Sequence, residues 1–406
     1  MSQGSLSDYF RGVVFKTLTA VEANVLVSNQ HEYNGTEALK RVLGTDQPKS
    51  FTTRFLLVGD DGDTVSDDGF LTWYDARERH PTRSEYRLYF PTNTVTSQSR
   101  AGDALFIARR PDDEMLVIVA PAGSTIRSQL LWLFGLDEPR GGDFEAREFE
   151  VRPRETDFVV RLVLQELGID SEGPAEERFD GLIDRFGLAF PSTRAFSEFA
   201  RSTLPEIDPR DDPDAALLAW IEREEQLFRR LERRIVAERL RAGFAADDTV
   251  DVDGFLSFSL SVQNRRKARA GAALENHVEL VFQTFDLTFQ RGAETENRNR
   301  PDFLFPGSDA YRNPDFPADQ LLMLGSKTTC KDRWRQVLSE AERIPEKHLL
   351  TLEPGISETQ TDEMKTKRLC LVIPARIHET YRPAQRSALM TLADFVGQAR
   401  DIQQRR

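Results

Sequence analysis

Two short apolar runs, Phe-Leu-Phe at 303–305 and Leu-Leu-Met-Leu at 321–324, constrain this chain more than any other stretch. Each is bounded by Pro or Gly and is too short for a helix, so both read as buried strands. Asp302 follows Pro301 and opens the first run; Lys327 stands just past the second. Glu340 lies downstream, in a segment (332–344) whose Trp334, Val337, Leu338, Ala341 and Ile344 recur at helical spacing. A carboxylate at a strand end, a lysine on the next strand and a carboxylate on the adjoining helix fit a divalent-metal site with a positive partner.

That set matches what phosphodiester hydrolysis needs. Carboxylates are hard oxygen ligands for Mg²⁺, which keeps several waters and borrows phosphate oxygens. A lysine beside them holds or polarises the attacking water and stabilises developing negative charge. Glu275, two residues before His277 beside a helical stripe, is a candidate for a further carboxylate. Spacing alone leaves the bland alternative open, with Asp302 a turn former and Lys327 a solvated surface lysine. Lys331, Asp332 and Arg333 follow closely. Arginine donates two hydrogen bonds to guanine, and aspartate accepts one from cytosine, so the triplet could read consecutive G·C pairs. Asp332 equally suits a helix N-terminus.

Around this centre the chain alternates helix and strand. Helices are predicted at 157–170, 193–203, 213–242, 268–285 and 386–399, and further strands at 348–352 and 368–374. The order from 268 onward predicts an α/β domain around a mixed sheet. Residues 1–140 differ in kind. Short apolar runs at 12–15, 55–58, 86–90, 104–108 and 115–119 alternate with turn clusters at 60–63, 67–69 and 101–103, predicting a small barrel or sandwich. Within it, 73–87 carries Arg77, Arg79, Arg83 and Arg87 among Trp73, Tyr74 and Tyr86. This is either a solvated charged loop or a nucleic-acid contact. The polar, Gly- and Pro-rich stretch 139–156 reads as a linker.

Composition narrows the setting. With 406 residues the chain has room for two or three domains. Cys330 and Cys370 are its only cysteines, which fits a reducing cytoplasm and excludes a zinc quartet. No apolar run approaches the ~20 residues that span a bilayer. The N-terminus lacks the basic and apolar regions of a secretory signal. A net charge of −13 argues against coating nucleic acid by bulk charge, but not against local basic clusters such as Arg265-Arg266-Lys267 with Arg269.

Four motifs carry a resemblance: SVQNRRKARAGAALE (261–275), PDFLFPGSDAY (301–311), KTTCKDRWRQVLSEAERI (327–344) and ALMTLADF (388–395). Together they resemble the EcoRII-type restriction endonucleases, nearly continuously from about 190 to 395. A weaker similarity surrounds WYDARERHPTRSEYRLYF (73–90). The resemblance implies a restriction-endonuclease-like α/β catalytic domain at 186–406, a connecting segment at 141–185 and an N-terminal β-rich pseudo-barrel effector domain at 1–140. It implies Asp302, Lys327 and Glu340 as the metal and catalytic set, with Asp302 and Glu340 as metal ligands and Glu275 as the upstream glutamate. Lys331, Asp332 and Arg333 become base readers for a CC…GG core, and Lys267 a DNA neighbour. Arg77, Arg83, Glu85 and Arg87 become the effector-DNA contacts. Mg²⁺, duplex DNA and a homodimer are the implied cofactor and partners, and the N-terminal domain is implied to block the cleft. The family flips the central base between an arginine and an aromatic. Here those positions are Ile221 and Glu225, with Arg223 and Trp220 nearby, so the chain departs from the pattern.

Two rival functions use the same residues. One is a modification-dependent nuclease whose N-terminal domain senses altered DNA. The other is a non-catalytic DNA-binding protein on a nuclease fold.

Overall fold

The computed structural model describes the chain apart from residues 1–5, 24–30, 46–47, 61–63, 81, 137–143, 149–157, 167–178, 247–248, 331–332 and 406. It divides into two compact units. The first comprises residues 1–174 with two short returns, 354–358 and 380–382; the second holds the remainder.

The first unit is built on eight strands: β1 (Gly12–Thr17), β2 (Glu32–Asn34), β3 (Lys49–Val58), β4 (Thr64–Asp75), β5 (Tyr86–Tyr89), β6 (Ala104–Arg109), β7 (Met115–Ala120) and β8 (Glu145–Glu148). They form one sheet in the order β2-β5-β4-β3-β7-β6-β1-β8. All neighbours are antiparallel except β3 and β7. Strand alternation sorts the apolar residues onto two faces. Val14, Leu105, Ile107 and Val117 join Trp73 and helix α1 (Glu37–Leu43) in one core. Val13, Phe15, Phe106 and Ile118 join helix α2 (Thr125–Phe134) in the other.

Two expectations for this unit need correction. Residues 67–69, read as a turn, lie inside β4, with Asp67 opposite Phe55 and Gly69 opposite Thr53. A Cβ at Gly69 would stand 3.2 Å from the Phe55 ring, so close packing, not a turn, places the glycine. The stretch read as a linker supplies β8, which pairs with β1. The rest of that stretch, except Phe144, lies outside the described residues, as does most of the 60–63 cluster.

The second unit pairs a helical layer with a mixed sheet. Helices α3 (Thr193–Ser202), α4 (Pro213–Ala242) and α5 (Val252–Thr284) carry the layer. α5 begins 16 residues before the predicted 268, and its first half leaves apolar residues such as Phe255, Leu256 and Leu260 exposed instead of burying them as a stripe. A two-stranded ribbon, β9 (Ala245–Ala246) and β10 (Thr249–Val250), joins α4 to α5. The sheet runs β11 (Gln290–Arg291), β12 (Phe303–Phe305), β13 (Leu322–Lys327), β14 (Lys347–Thr351) and β15 (Leu369–Val372) in sequence order. β11, β12 and β13 are antiparallel neighbours; β13, β14 and β15 are parallel. Phe282 of α5 meets Phe303 and Phe305 edge-on at 5.2 Å, and Phe395 of the closing helix α7 (Leu392–Gln404) meets Phe305 at 5.7 Å.

The helix predicted over 332–344 is much shorter. Only Trp334–Val337 is α-helical (α6); a turn follows and Ala341 has φ of +50°. Trp334, Val337, Ala341 and Ile344 are nonetheless buried, so the apolar spacing was real while the backbone left the helix. The closing helix starts at Leu392, later than the predicted 386.

Candidate active site

The antiparallel register of β12 and β13 sets Phe303 opposite Leu324 and Phe305 opposite Leu322, bringing the start of one strand beside the end of the other. Asp302 and Lys327 meet there. Asp302 Oδ2 accepts the Ser326 backbone N–H at 2.6 Å, the Ser326 hydroxyl at 3.2 Å and Lys327 Nζ at 3.1 Å. Lys327 Nζ also donates to the Ser326 carbonyl at 3.0 Å. Their side chains are 18% and 23% exposed, open enough to reach a ligand and buried enough for their charges to count.

Glu340 completes the group from the turn after α6. Gly325 of β13 admits α6 to this position: a Cβ there would stand 3.2 Å from Val337 Cγ2. Burial pushes the Glu340 carboxyl up to about 7; the Asp302 charge pushes the same way, while Lys327 and Lys347 oppose it. Glu340 therefore lies in the field of both other members. Its Oε2 is buried without a hydrogen-bond partner. A buried, orphaned carboxylate oxygen beside a second carboxylate is a donor set that a hard cation would complete. Among the described residues no three His, Cys, Asp or Glu side chains are placed to share an ion. Mg²⁺ is commonly held by one or two carboxylates, with waters and phosphate oxygens filling its other positions.

Glu275 is engaged one step away. Its Oε2 pairs with Arg291 at 2.5 Å, and Arg291 also donates to Asn276 at 2.8 Å and Glu279 at 2.9 Å. Arg291 sits on β11 opposite Phe303, and the next amide, Gly292 N, donates to the Asp302 carbonyl at 3.0 Å. Glu275 is thus tied to the strand edge that carries Asp302.

The other expected residues are distributed as follows. Arg333 is exposed and donates to the Thr329 carbonyl at 3.2 Å; Lys331 and Asp332 lie outside the described residues. Cys330, just before them, donates its N–H to the buried Glu353 at 2.6 Å, anchoring the loop. Lys267 is exposed on α5. Arg223 rests its guanidinium 5.0 Å above the Phe179 ring. Ile221 is half-buried, and Glu225 pairs with Arg229 at 2.7 Å. Trp220 is buried with its ring 5.8 Å from that of buried His277, so it belongs to the core.

In the first unit, Arg77 and Arg87 both pair with Glu85 at 2.5 Å, and Arg87 reaches Glu32 at 3.2 Å. Arg83 is exposed on the same segment. Trp73 is fully buried and stacks on Tyr86 at 5.0 Å, so it is core and not part of a nucleic-acid-facing surface. Sequence reasoning missed Ser326, Arg291 and Lys347. Ser326 acts largely through its backbone. Arg291 and Lys347 show no motif and become visible only through their partners.

A family model described as the EcoRII C-terminal domain matches residues 228–396. The type II restriction enzyme EcoRII of Escherichia coli is 36% identical over 284 residues, covering 66% of this chain and 69% of that protein. Among solved structures, metal-depleted Ecl18kI with uncleaved, modified DNA aligns at 18% identity and a TM-score of 0.45, over 56% of this chain and 84% of that one. The complex of the restriction endonuclease PspGI with substrate DNA aligns at 13% identity and a TM-score of 0.43, over 53% and 95%. The extent of the sequence match to EcoRII, about two thirds of each chain, decides the assignment: the chain is a type II restriction endonuclease with a restriction-endonuclease-like catalytic fold, and it belongs to the EcoRII family.

Proposed function

We propose that this enzyme hydrolyses duplex DNA at a short palindromic CC…GG-type site in a Mg²⁺-dependent reaction centred on Asp302, Glu340 and Lys327. The observation carrying this reading is the Lys327–Asp302 contact of 3.1 Å beside the orphaned Glu340 carboxylate oxygen. Asp302 and Glu340 would hold the ion, which when bound neutralises charge on the scissile phosphate and acidifies a bound water. Lys327 Nζ, oriented by Asp302 and the Ser326 carbonyl, is placed to hold that water and to stabilise charge developing on the phosphate. Ser326 N–H fixes Asp302 so that its other oxygen, Oδ1, is left for a ligand. Glu275 serves as the further carboxylate at the edge of the site.

Lys331, Asp332 and Arg333 read the G·C pairs, and Lys267 and Arg223 contact DNA beside the cleft. Residues 1–140 act as an effector domain that binds a second DNA copy through Arg77, Arg83, Glu85 and Arg87 and restrains the catalytic domain (186–406) across the connecting segment (141–185). The active species is a homodimer, as a palindromic site requires of a symmetric reader, working in the cytoplasm. Among the described residues no helix is long and apolar enough to cross a membrane. Digesting DNA of known sequence with Mg²⁺ and sequencing the ends tests the reading. Clustered ends within one palindrome support it; random ends, or no cleavage with any divalent ion, overturn it.

A further inference from the structure

The turn that carries Glu340 is held by a residue with no catalytic signature. After α6 the backbone leaves the helix, so the carbonyls of the turn lose their helical amides, with Ala341 taking a shorter-range one from Ile344 at 2.9 Å. A side chain supplies further donors. Lys347, at the start of β14 and only 6% exposed, donates Nζ to the carbonyls of Ala341 and Ile344, each at 2.6 Å. Ala341 is fully buried and sits at φ +50°, a region that costs a residue with a Cβ and persists only where its surroundings impose it. The other side of the turn is pinned as well. Asn299 donates to the Ser339 carbonyl at 2.7 Å, the Glu342 N–H reaches Glu296 at 3.2 Å, and Arg343 gathers the carbonyls of Asn313 and Phe316, each at 2.8 Å.

We propose that Lys347 is a positioning residue for Glu340: its buried ammonium shapes the 338–344 turn so that the Glu340 carboxylate points at Asp302 and Lys327 and is preorganised for the divalent ion. This rests on the reading of Glu340 as a metal ligand. A lysine suits the task because its compact ammonium reaches two carbonyls at once, supplying the Ile344 carbonyl with a donor and adding a second donor at Ala341, whose carbonyl also takes the Ile344 amide at 2.9 Å. Its positive charge also opposes the burial and the Asp302 charge that disfavour an ionised Glu340.

The test uses the 406-residue enzyme and four variants: Lys347→Met, Lys347→Arg, Asn299→Ala and Glu340→Gln. Three quantities are read: the thermal midpoint without metal, its rise on titrating Ca²⁺ or Mg²⁺ alone, and the Mg²⁺ concentration giving half-maximal cleavage. We expect Lys347→Met to need at least about tenfold more Mg²⁺, the usual cost of losing a group that orients a metal ligand. It should show a weakened ion-induced rise in midpoint while binding cognate DNA in EDTA as the parent does. Lys347→Arg, which keeps donors near the carbonyls, restores part of the metal response; Asn299→Ala, at a half-buried position that holds the other side of the turn, shifts it less in the same direction. A Lys347→Met protein that folds and keeps the parental metal response overturns the proposal. If that variant does not fold, a parental response in Asn299→Ala overturns it instead. Glu340→Gln separates the two layers: a normal metal response there sinks the site reading itself, whereas its loss beside a normal Lys347→Met sinks only the role of Lys347.

Discussion

Asp302 and Lys327 lie 25 residues apart in the chain and 3.1 Å apart in space. The contact is made by strand register, because Phe303 pairs with Leu324 and the flanking ends must then coincide. The same Asp302 oxygen takes the Ser326 amide at 2.6 Å, so the carboxylate is oriented before any ligand arrives. Preorganised charge of this kind is where enzymes gain most of their acceleration.

Replacing Lys327 by Ala or Asp302 by Ala should therefore cost cleavage far more than binding. We expect kcat to fall by at least about 10²–10³-fold. Affinity for cognate DNA, measured in EDTA or with Ca²⁺, should change little. Retained cleavage in Asp302→Ala would remove Asp302 from the site.

Glu340 makes the metal-free protein sensitive to pH. Its carboxyl is raised from the ordinary range to about 7, chiefly by burial and then by Asp302. A folded-state pKa above the unfolded value means the neutral acid is the favoured form. Its contribution to stability is whole below about 4.5 and is lost as pH rises through about 7. Glu340→Gln should accordingly raise the thermal midpoint of the metal-free enzyme at pH 8 by a few degrees, with the gain vanishing towards pH 4.5. Added Mg²⁺ should stabilise the parent at pH 8 and not the variant. Identical melting curves for the two proteins at pH 8 would contradict this account.

Arg291 gathers Glu275, Glu279 and Asn276 onto the edge strand. Removing it leaves two half-buried carboxylates facing each other with their cation gone. Breaking such a pair from one side costs more than the pair contributes. Arg291→Met should lower unfolding free energy by roughly 1–3 kcal/mol in urea titrations, the usual cost of a polar group left unpaired. Adding Glu275→Gln to it should recover part of the loss; strictly additive effects would show that the groups are uncoupled.

In the first unit Glu85 occupies two arginines, while Arg83 stands exposed. If Arg83 meets a DNA phosphate, Arg83→Ala should weaken effector binding and lower the slope of log K against log salt by about one. An unchanged slope would assign Arg83 to the solvated surface. Glu85→Gln should instead loosen both arginines and broaden binding across sequences.

Much of this molecule was legible in the chain itself. The apolar runs at 303–305 and 321–324 became neighbouring strands, the long helix over 213–242 has the bounds its apolar side predicts, and the pairing of Asp302 with Lys327 follows from the antiparallel register of the two strands. Local pattern suffices there because burial repays regular backbone. Local pattern failed where distant groups replaced local ones. Helical spacing over 332–344 was genuine, yet the backbone leaves the helix after Val337, where Lys347 and Asn299 take carbonyls of the turn. Gly69 looked like a turn, but the Phe55 ring across the sheet required it. The sequence by itself determined the apolar runs that form the central strands and the charged residues that end them. Only the tertiary structure decided that Glu340 stands on a turn, with an oxygen left unpaired, because that turn is shaped by hydrogen bonds from residues whose partners no local pattern encodes.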